Sequence, residues 1–274
     1  MSFHIEGLRP LFSGGNADLQ IGQRSDSGEY VVVKFLREYH LPHSRRTFAR
    51  EVRILSQSLP GMMPILFADT NGERPYYVMP YFSSGSLTRY AGRLSAQQLL
   101  KVAIDTGRSL AALHARNISH GDFKPDNIMI SLDGSLRLAD PLGNGIGCTV
   151  LFSQNHGGTP GYWAPEVFAG QPISKTADTY SFGASLYHLL TGEKPVDGQR
   201  FDRGVRGQFR DPKLTELIST CCQLEPGARP TMQDVVRVLS GESWDHIKRE
   251  REQKQLAMTC VLGVAALVLI ATAG

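Results

Sequence analysis

The sequence predicts an α+β fold in two lobes, a small strand-rich one followed by a larger helical one, with a membrane-spanning helix at the C-terminus. Three observations carry this expectation. In the first lobe the apolar runs are short and rich in β-branched residues, with a single helix-periodic stretch among them. Later apolar residues recur at helical spacing over long stretches. The last residues form an uncharged apolar run behind a basic segment.

Each element follows from its residues. "EYVVVKFL" (Glu29–Leu36) is β-branched, follows the turn signal "SDSG" and reads as a strand. "SRRTFAREVRILSQSL" (Ser44–Leu59) places Phe48, Val52, Leu55 and Leu59 at helical spacing and is expected to stop at Pro60-Gly61. "PYYVMPYF" (Pro75–Phe82) is a second strand, running into a proline-containing connector. Leu94–Arg116, "TADTYSFGASLYHLLTG" and "TMQDVVRVLS" are helical, and "GSLRLA" is a short apolar strand. The expected boundaries are a first lobe at about 8–79, a second at about 83–242, a basic juxtamembrane segment at 243–255 and the span at 256–273. No internal repeat or low-complexity stretch is present.

Composition narrows the class. A chain of 274 residues, 41% hydrophobic and 20% charged, is long enough to bury a sizeable core. A net charge of +3 gives no reason to expect nucleic acid as a partner. The four cysteines, Cys148, Cys221, Cys222 and Cys260, have neither metal-ligand spacing nor the look of a disulfide framework, which fits a reducing compartment. The N-terminus lacks the basic and apolar regions of a secretory signal.

"LAMTCVLGVAALVLIATA" (Leu256–Ala273) carries no charge, and at about 1.5 Å per helical residue nearly matches the hydrocarbon core of a bilayer. Lys248, Arg249, Arg251 and Lys254 lie upstream and no basic residue lies downstream. The positive-inside tendency then leaves the large N-terminal part in the cytoplasm, tethered by a single pass through a lipid bilayer.

The stretch "SHGDFKPDNIMI" (Ser119–Ile130) gathers Asp122, Lys124 and Asn127 just after His120. Phosphoryl transfer from a nucleotide needs oxygen ligands for Mg²⁺, a cation on the phosphates and a group to orient the nucleophile. Asp122 is able to orient a hydroxyl and accept its proton, Lys124 brings positive charge, and Asn127 offers a neutral oxygen to a metal. Asp140, thirteen residues after Asn127 and behind a short strand, supplies a charged ligand.

His120-Gly121-Asp122-Phe123-Lys124-Pro125-Asp126-Asn127 resembles the catalytic loop of the eukaryotic-type (Hanks-type) serine/threonine protein kinases, His-Arg-Asp-x-Lys-x-x-Asn. Aminoglycoside and choline kinases also carry His-Gly-Asp-x-x-x-x-Asn, so the loop alone leaves two candidates. The residues downstream separate them. "GGTPGYWAPEVF" (Gly157–Phe168) looks like the peptide-receiving segment of protein kinases, ending in Ala164-Pro165-Glu166. "DTYSFG" resembles the family's Asp-x-x-Ser-x-Gly, and "PGARPT" supplies Arg229. The likeness covers roughly residues 8 to 242 and points to a bacterial, membrane-anchored member with a two-lobed kinase fold.

The resemblance implies roles residue by residue. Asp122 orients the acceptor hydroxyl and Lys124 stabilises the transferring phosphoryl, while Asn127 and Asp140 hold Mg²⁺. Lys34 in "VVVK", positioned by Glu51 in "AREVRIL", meets the α/β-phosphates of ATP. Met79 faces the adenine pocket, and the Pro80 carbonyl and Phe82 N–H meet the base. Gly14 and Gly15 approach the phosphates, and Thr159 bridges the catalytic acid and lysine at the substrate. Asp178 holds the catalytic-loop backbone, and Glu166 pairs with Arg229; these three are structural. The implied partners are proteins with Ser/Thr acceptors, and self-association for autophosphorylation is a further expectation.

Three departures bear on activity. "FSGGNADL" sets Phe12, Gly14 and Ala17 where the family has three glycines, which suggests a weaker nucleotide clamp. Pro141-Leu142 follow Asp140 in place of Phe-Gly, and proline fixes φ. Gly121 replaces the arginine that in the family grips a phosphorylated loop, so activity is expected to depend little on loop phosphorylation. The first two also favour an alternative, a pseudokinase serving as a nucleotide-binding membrane scaffold.

Overall fold

Side-chain alternation along β3 (Tyr30–Leu36) decides how the first lobe is built. Val31 and Val33 face one side of the sheet, where they pack with Val78, Ile5, Phe35 and Tyr76. Val32 and Leu36 face the other side and join the main core. Lys34 shares that second face, so a cation is carried to the buried side of the strand. The fold comes from a computed structural model, which describes residues 4–14, 17–144, 161–196, 198–199, 201 and 211–253.

β1 (Ile5–Ser13), β2 (Ala17–Arg24), β3, β4 (Phe67–Asp69) and β5 (Tyr76–Pro80) form an antiparallel sheet in the order β1-β2-β3-β5-β4. The strand that enters the connector to the second lobe, β5, is therefore interior, between β3 and β4, with Lys34 directly opposite Tyr77. Helix α1 (Pro42–Leu55) covers the core face through Phe48, Val52 and Leu55. It ends four residues before the expected Leu59. Leu59 precedes a proline, which disfavours the helical region, and Ser58 is already left-handed, at φ 51°. Leu59 stays in the core from the loop.

The second lobe is helical: α2 (Ala96–Ala115), α3 (Pro165–Phe168), α4 (Lys175–Thr191), α5 (Pro212–Cys221) and α6 (Met232–Leu239). Ser95 and Gln98 cap α2 reciprocally, and Thr231 and Asp234 do the same for α6. Every residue of α4 from Ala177 to Leu189 is buried, as expected of a helix at the centre of a lobe. A small hairpin, β6 (Ile128–Ile130) with β7 (Leu136–Leu138), lies at the edge that faces the first lobe.

The first lobe is fastened to the second after α1, and the connector is fastened where it enters the second lobe. Leu138 of β7 donates its N–H to Gly61 O and accepts one from Met63, both at 2.8 Å. Gly85 in the connector accepts from Ile130 N–H of β6 at 3.0 Å. Gly61 has φ +75°, and a Cβ there would stand 1.8 Å from the Ser109 hydroxyl of α2, so only glycine allows this approach.

Residues 244–253 are helical. Trp244 and Ile247 are buried. Arg237 of α6 bonds Glu250 at 2.7 Å and Glu242 at 2.6 Å, and Arg251 pairs with Asp234. Among the described residues no helix is long and apolar enough to cross a membrane. The segment expected to span, 256–273, lies outside them.

Candidate active site

The cleft between the lobes is assembled from separate pieces of chain. β3 supplies Lys34. α1 supplies Glu51, which falls on the helix's apolar stripe, three residues after Phe48 and four before Leu55, and is drawn inward with it. Lys34 Nζ lies 2.7 Å from Glu51 Oε1 and 2.9 Å from Asp140 Oδ1. Burial alone would lower the lysine's pKa, but the carboxylates of Asp140 and Glu51 hold it well above its ordinary value. Burial raises the Glu51 carboxyl against the pull of Lys34. Burial pushes the Asp140 carboxyl up, but the Lys34 charge and the hydrogen bonds to the group together hold it below the ordinary aspartate value.

The β6–β7 hairpin brings the remaining groups together. Asn127 immediately precedes β6 and Asp140 closely follows β7, and Ala139 N–H donates to Asn127 O at 2.8 Å. Asn127 Nδ2 donates to the Asp122 carbonyl at 2.8 Å and to Asp122 Oδ2 at 2.9 Å. With both amide hydrogens used, its Oδ1 is the atom left for a cation. Asp140 keeps a side chain that is 44% exposed into the cleft. Two hard oxygen donors, completed by phosphates and water, suit Mg²⁺, which rarely takes an all-protein cage. Among the described residues no group of three His, Cys, Asp or Glu forms a metal cluster.

Lys124 Nζ bonds both Asp122 oxygens, at 3.0 and 2.8 Å. Burial raises the Asp122 carboxyl, with Lys124 opposing. The loop that carries them is held from beneath by Asp178, which accepts from His120 N–H at 2.7 Å and Gly121 N–H at 2.8 Å and has His114 Nε2 at 2.8 Å. His120 is fully buried and edge-on to Phe123. Gly121 adopts φ +82°, with Ile173 Cδ1 only 3.0 Å from where a Cβ would stand. The arginine that the family carries there has no relaxed place in this backbone.

Asp140 is itself left-handed, at φ 57°. Leu142 N–H donates to His120 O at 2.7 Å, so the residues after Asp140-Pro141 are pinned to the catalytic loop. Asn144 extends the attachment, accepting from Ser119 N–H and donating to Asn117 O, each at 2.5 Å.

At the connector, Tyr81 N–H donates to Tyr30 O and Leu36 N–H to Pro75 O, which turns the backbone of the odd-numbered β5 residues toward β3. The Pro80 carbonyl and Phe82 N–H therefore project the other way, past the end of β4. Met79 lies on the Lys34 face and is 9% exposed. The β1–β2 hairpin closes with Gly14 N–H on Ala17 O at 3.0 Å, and Arg37 Nη1 donates to Gly14 O at 2.6 Å. Phe12 pairs with Leu19 across the hairpin and is 64% exposed. Gly15 and Thr159 lie outside the described residues.

Three groups were not singled out from sequence. Tyr77 donates its hydroxyl to Glu51 Oε1 at 2.7 Å, His114 reaches Asp178, and Asn144 acts as described. Tyr77 was accessible in principle, because a strand paired to β3 in this register sets it opposite Lys34. The other two depend on long-range packing and left no local signal.

The chain matches the protein kinase domain family over residues 6–239. It is 32% identical to the DNA damage-responsive serine/threonine-protein kinase RqkA of Deinococcus radiodurans, over 70% of this chain and 30% of that protein. It is 32% identical to serine/threonine-protein kinase pkn2 of Myxococcus xanthus, over 70% of this chain and 25% of that one. It is 29% identical to the leaf rust 10 disease-resistance locus receptor-like protein kinase-like 1.4 of Arabidopsis thaliana, over 88% and 42% respectively. The chain spans less than half the length of each of these relatives. With a sheet-based first lobe, a helical second lobe and these residues meeting between them, the chain belongs to the protein kinase family.

Proposed function

We propose that this chain is an ATP-dependent serine/threonine protein kinase, anchored to a membrane by its C-terminal apolar segment with the kinase domain on the cytoplasmic side. The observation that carries the catalytic reading is Lys34 Nζ, which bridges Glu51 and Asp140 across sequence separations of 17 and 106 residues. Only the full fold makes that contact, and it joins the phosphate-binding cation to a metal-ligating carboxylate.

Mg²⁺ neutralises charge on the β- and γ-phosphates when bound. Asn127 Oδ1 and Asp140 offer the oxygens that hold it, and Lys34 meets the α/β-phosphates. The glycine stretch at the β1–β2 turn covers the phosphates, with the Gly14 N–H itself taken by Ala17 O rather than free for them, while Met79, the Pro80 carbonyl and Phe82 N–H surround the adenine. Asp122 orients a serine or threonine hydroxyl of a protein substrate and takes its proton. The new bond forms from that oxygen to the γ-phosphorus as the β–γ bridging bond breaks and ADP leaves. Lys124 stabilises the charge in transit, and Thr159 steadies the substrate side. Asp178 and the Glu166–Arg229 pair hold the frame. Catalysis is then positioning plus electrostatics. Two copies meeting at the membrane are able to phosphorylate one another.

Incubation of the full chain with γ-labelled ATP, Mg²⁺ and a basic protein acceptor tests this. Label on serine or threonine that Asp122→Ala and Lys34→Met both abolish supports the kinase. ATP binding without transfer would favour the scaffold reading, which rests on Phe12 in place of a glycine and on Pro141 after Asp140. For the anchor, the full chain is expected in the alkali-resistant membrane fraction and a chain ending at residue 253 in the supernatant.

A further inference from the structure

We propose that Tyr77 is a positioning residue of the nucleotide site: its hydroxyl, fixed on β5 opposite Lys34, holds the Glu51 carboxylate, and with it α1, in the paired arrangement without any modification of the loop. The inference rests on the kinase reading above and deepens it.

The geometry is specific. Tyr77 is completely buried, and its ring packs on Phe48 of α1 with centroids 5.5 Å apart. Lys34 Nζ stands 5.6 Å from the ring centroid. The Tyr77 hydroxyl and Lys34 Nζ reach the same oxygen, Glu51 Oε1, each at 2.7 Å. One strand pair thus supplies two donors to one carboxylate of the helix. Burial and the adjacent Glu51 charge raise the Tyr77 phenol well above its ordinary value, so it stays protonated and remains a donor. A buried carboxylate with a single donor would be under-satisfied, and the second removes the incentive for α1 to move outward toward water.

In protein kinases the lysine–glutamate pair must be in place for transfer, and placement of that helix is what loop phosphorylation commonly controls. Here Gly121 replaces the arginine that reads such a phosphate. Tyr77 supplies order from the strand side.

Tyr77→Phe removes one oxygen and leaves the ring packing intact. Hydrogen exchange of the full chain without nucleotide is the first readout. Exchange in residues 42–55 is expected to quicken roughly tenfold, the order of one hydrogen bond to a charged group, with 96–115 unchanged. Unchanged exchange in 42–55 would overturn the proposal whatever the chain does with ATP. The second readout is Mg·ATP affinity, followed through the ligand-induced shift in melting temperature. Tyr77→Phe is expected to weaken it about tenfold in the natural background and less than twofold in Glu51→Met, which has no acceptor. An equal loss in both backgrounds would show that Tyr77 acts through general packing and sink the idea. A natural chain that exchanges as expected but does not bind Mg·ATP would count against the kinase reading alone.

Discussion

Arg229 sets its two terminal nitrogens against the two carboxylate oxygens of Glu166, at 2.6 and 2.8 Å. Its other hydrogens go to the carbonyls of Gln223, Thr176 and Leu224. The guanidinium has no solvent-exposed surface, whereas Glu166 keeps 17% of its side chain exposed. Loss of Glu166 would strand a buried cation. Glu166→Leu is expected to destabilise the second lobe by about 3–5 kcal/mol, measured by urea unfolding, and Glu166→Gln by less because an acceptor remains.

The raised Asp122 carboxyl fixes the direction of a pH effect. Its folded pKa lies above the ordinary 3.8, so the folded chain holds this proton more tightly than the unfolded one. The group's stabilising contribution is therefore present below the unfolded value and lost as pH rises through the folded one. Activity runs the opposite way, since the ionised form takes the hydroxyl proton. The acid limb of kcat/KM is expected above pH 3.8, and Lys124→Met, which removes the opposing charge, should move it higher still. A limb that stays in place in Lys124→Met would contradict this assignment.

Restoring the family's arginine at residue 121 should not restore a family property. At φ +82° any side chain is strained, and Ile173 and Leu142 occupy the space beside it. Gly121→Arg is expected to cost at least about 1–2 kcal/mol in denaturant unfolding, with no gain in transfer rate.

Alanine at Thr149 and Ser153 should leave the rate of transfer within about twofold, a difference worth less than about 1 kcal/mol. Steady-state assays of the doubly substituted chain check this. A collapse of activity would mean that loop phosphorylation matters despite Gly121.

Residues 244–253 belong to the folded body. Trp244→Ala removes a large buried side chain and is expected to destabilise by about 3–5 kcal/mol. High salt should weaken the more exposed Arg237–Glu242 pair but leave Trp244 in place, which tryptophan fluorescence would follow.

Much of this was legible in the sequence because the chemistry sits on periodic elements. Lys34 and Glu51 were placed through the likeness of "VVVK" and "AREVRIL" to protein kinases, since a lone strand lysine or helix glutamate ordinarily faces solvent. Asp122, Asn127 and Asp140 flank a hairpin whose strands are short but plainly apolar. The fold's two-lobed division followed from the change of period. The end of α1 was not legible, because the helix stops where Ser58 turns left-handed and the following residues bond to Leu138. Nor was the interior place of β5, since insertion of a strand between β3 and β4 depends on contacts far apart in the chain. The packing of Trp244 and Ile247 against the second lobe was not legible either, because charged residues surround these two apolar positions.

Two attachments, one after α1 and one at the end of the connector, act as a door's two hinge pins. One lies at Gly61 and Met63 against Leu138, the other at Gly85 against Ile130. Two fixed points define a line, so the first lobe is left with one easy rotation, about the axis through them. The stretch after α1 is pinned to the second lobe, whereas the β1–β2 tip swings farthest. Opening the cleft thus sweeps the phosphate-covering hairpin through a wide arc while the foot of the helix bearing Glu51 scarcely travels. Nucleotide exchange would then proceed by lifting the hairpin, with the Lys34–Glu51 pair carried along intact and the Lys34–Asp140 contact across the cleft parted.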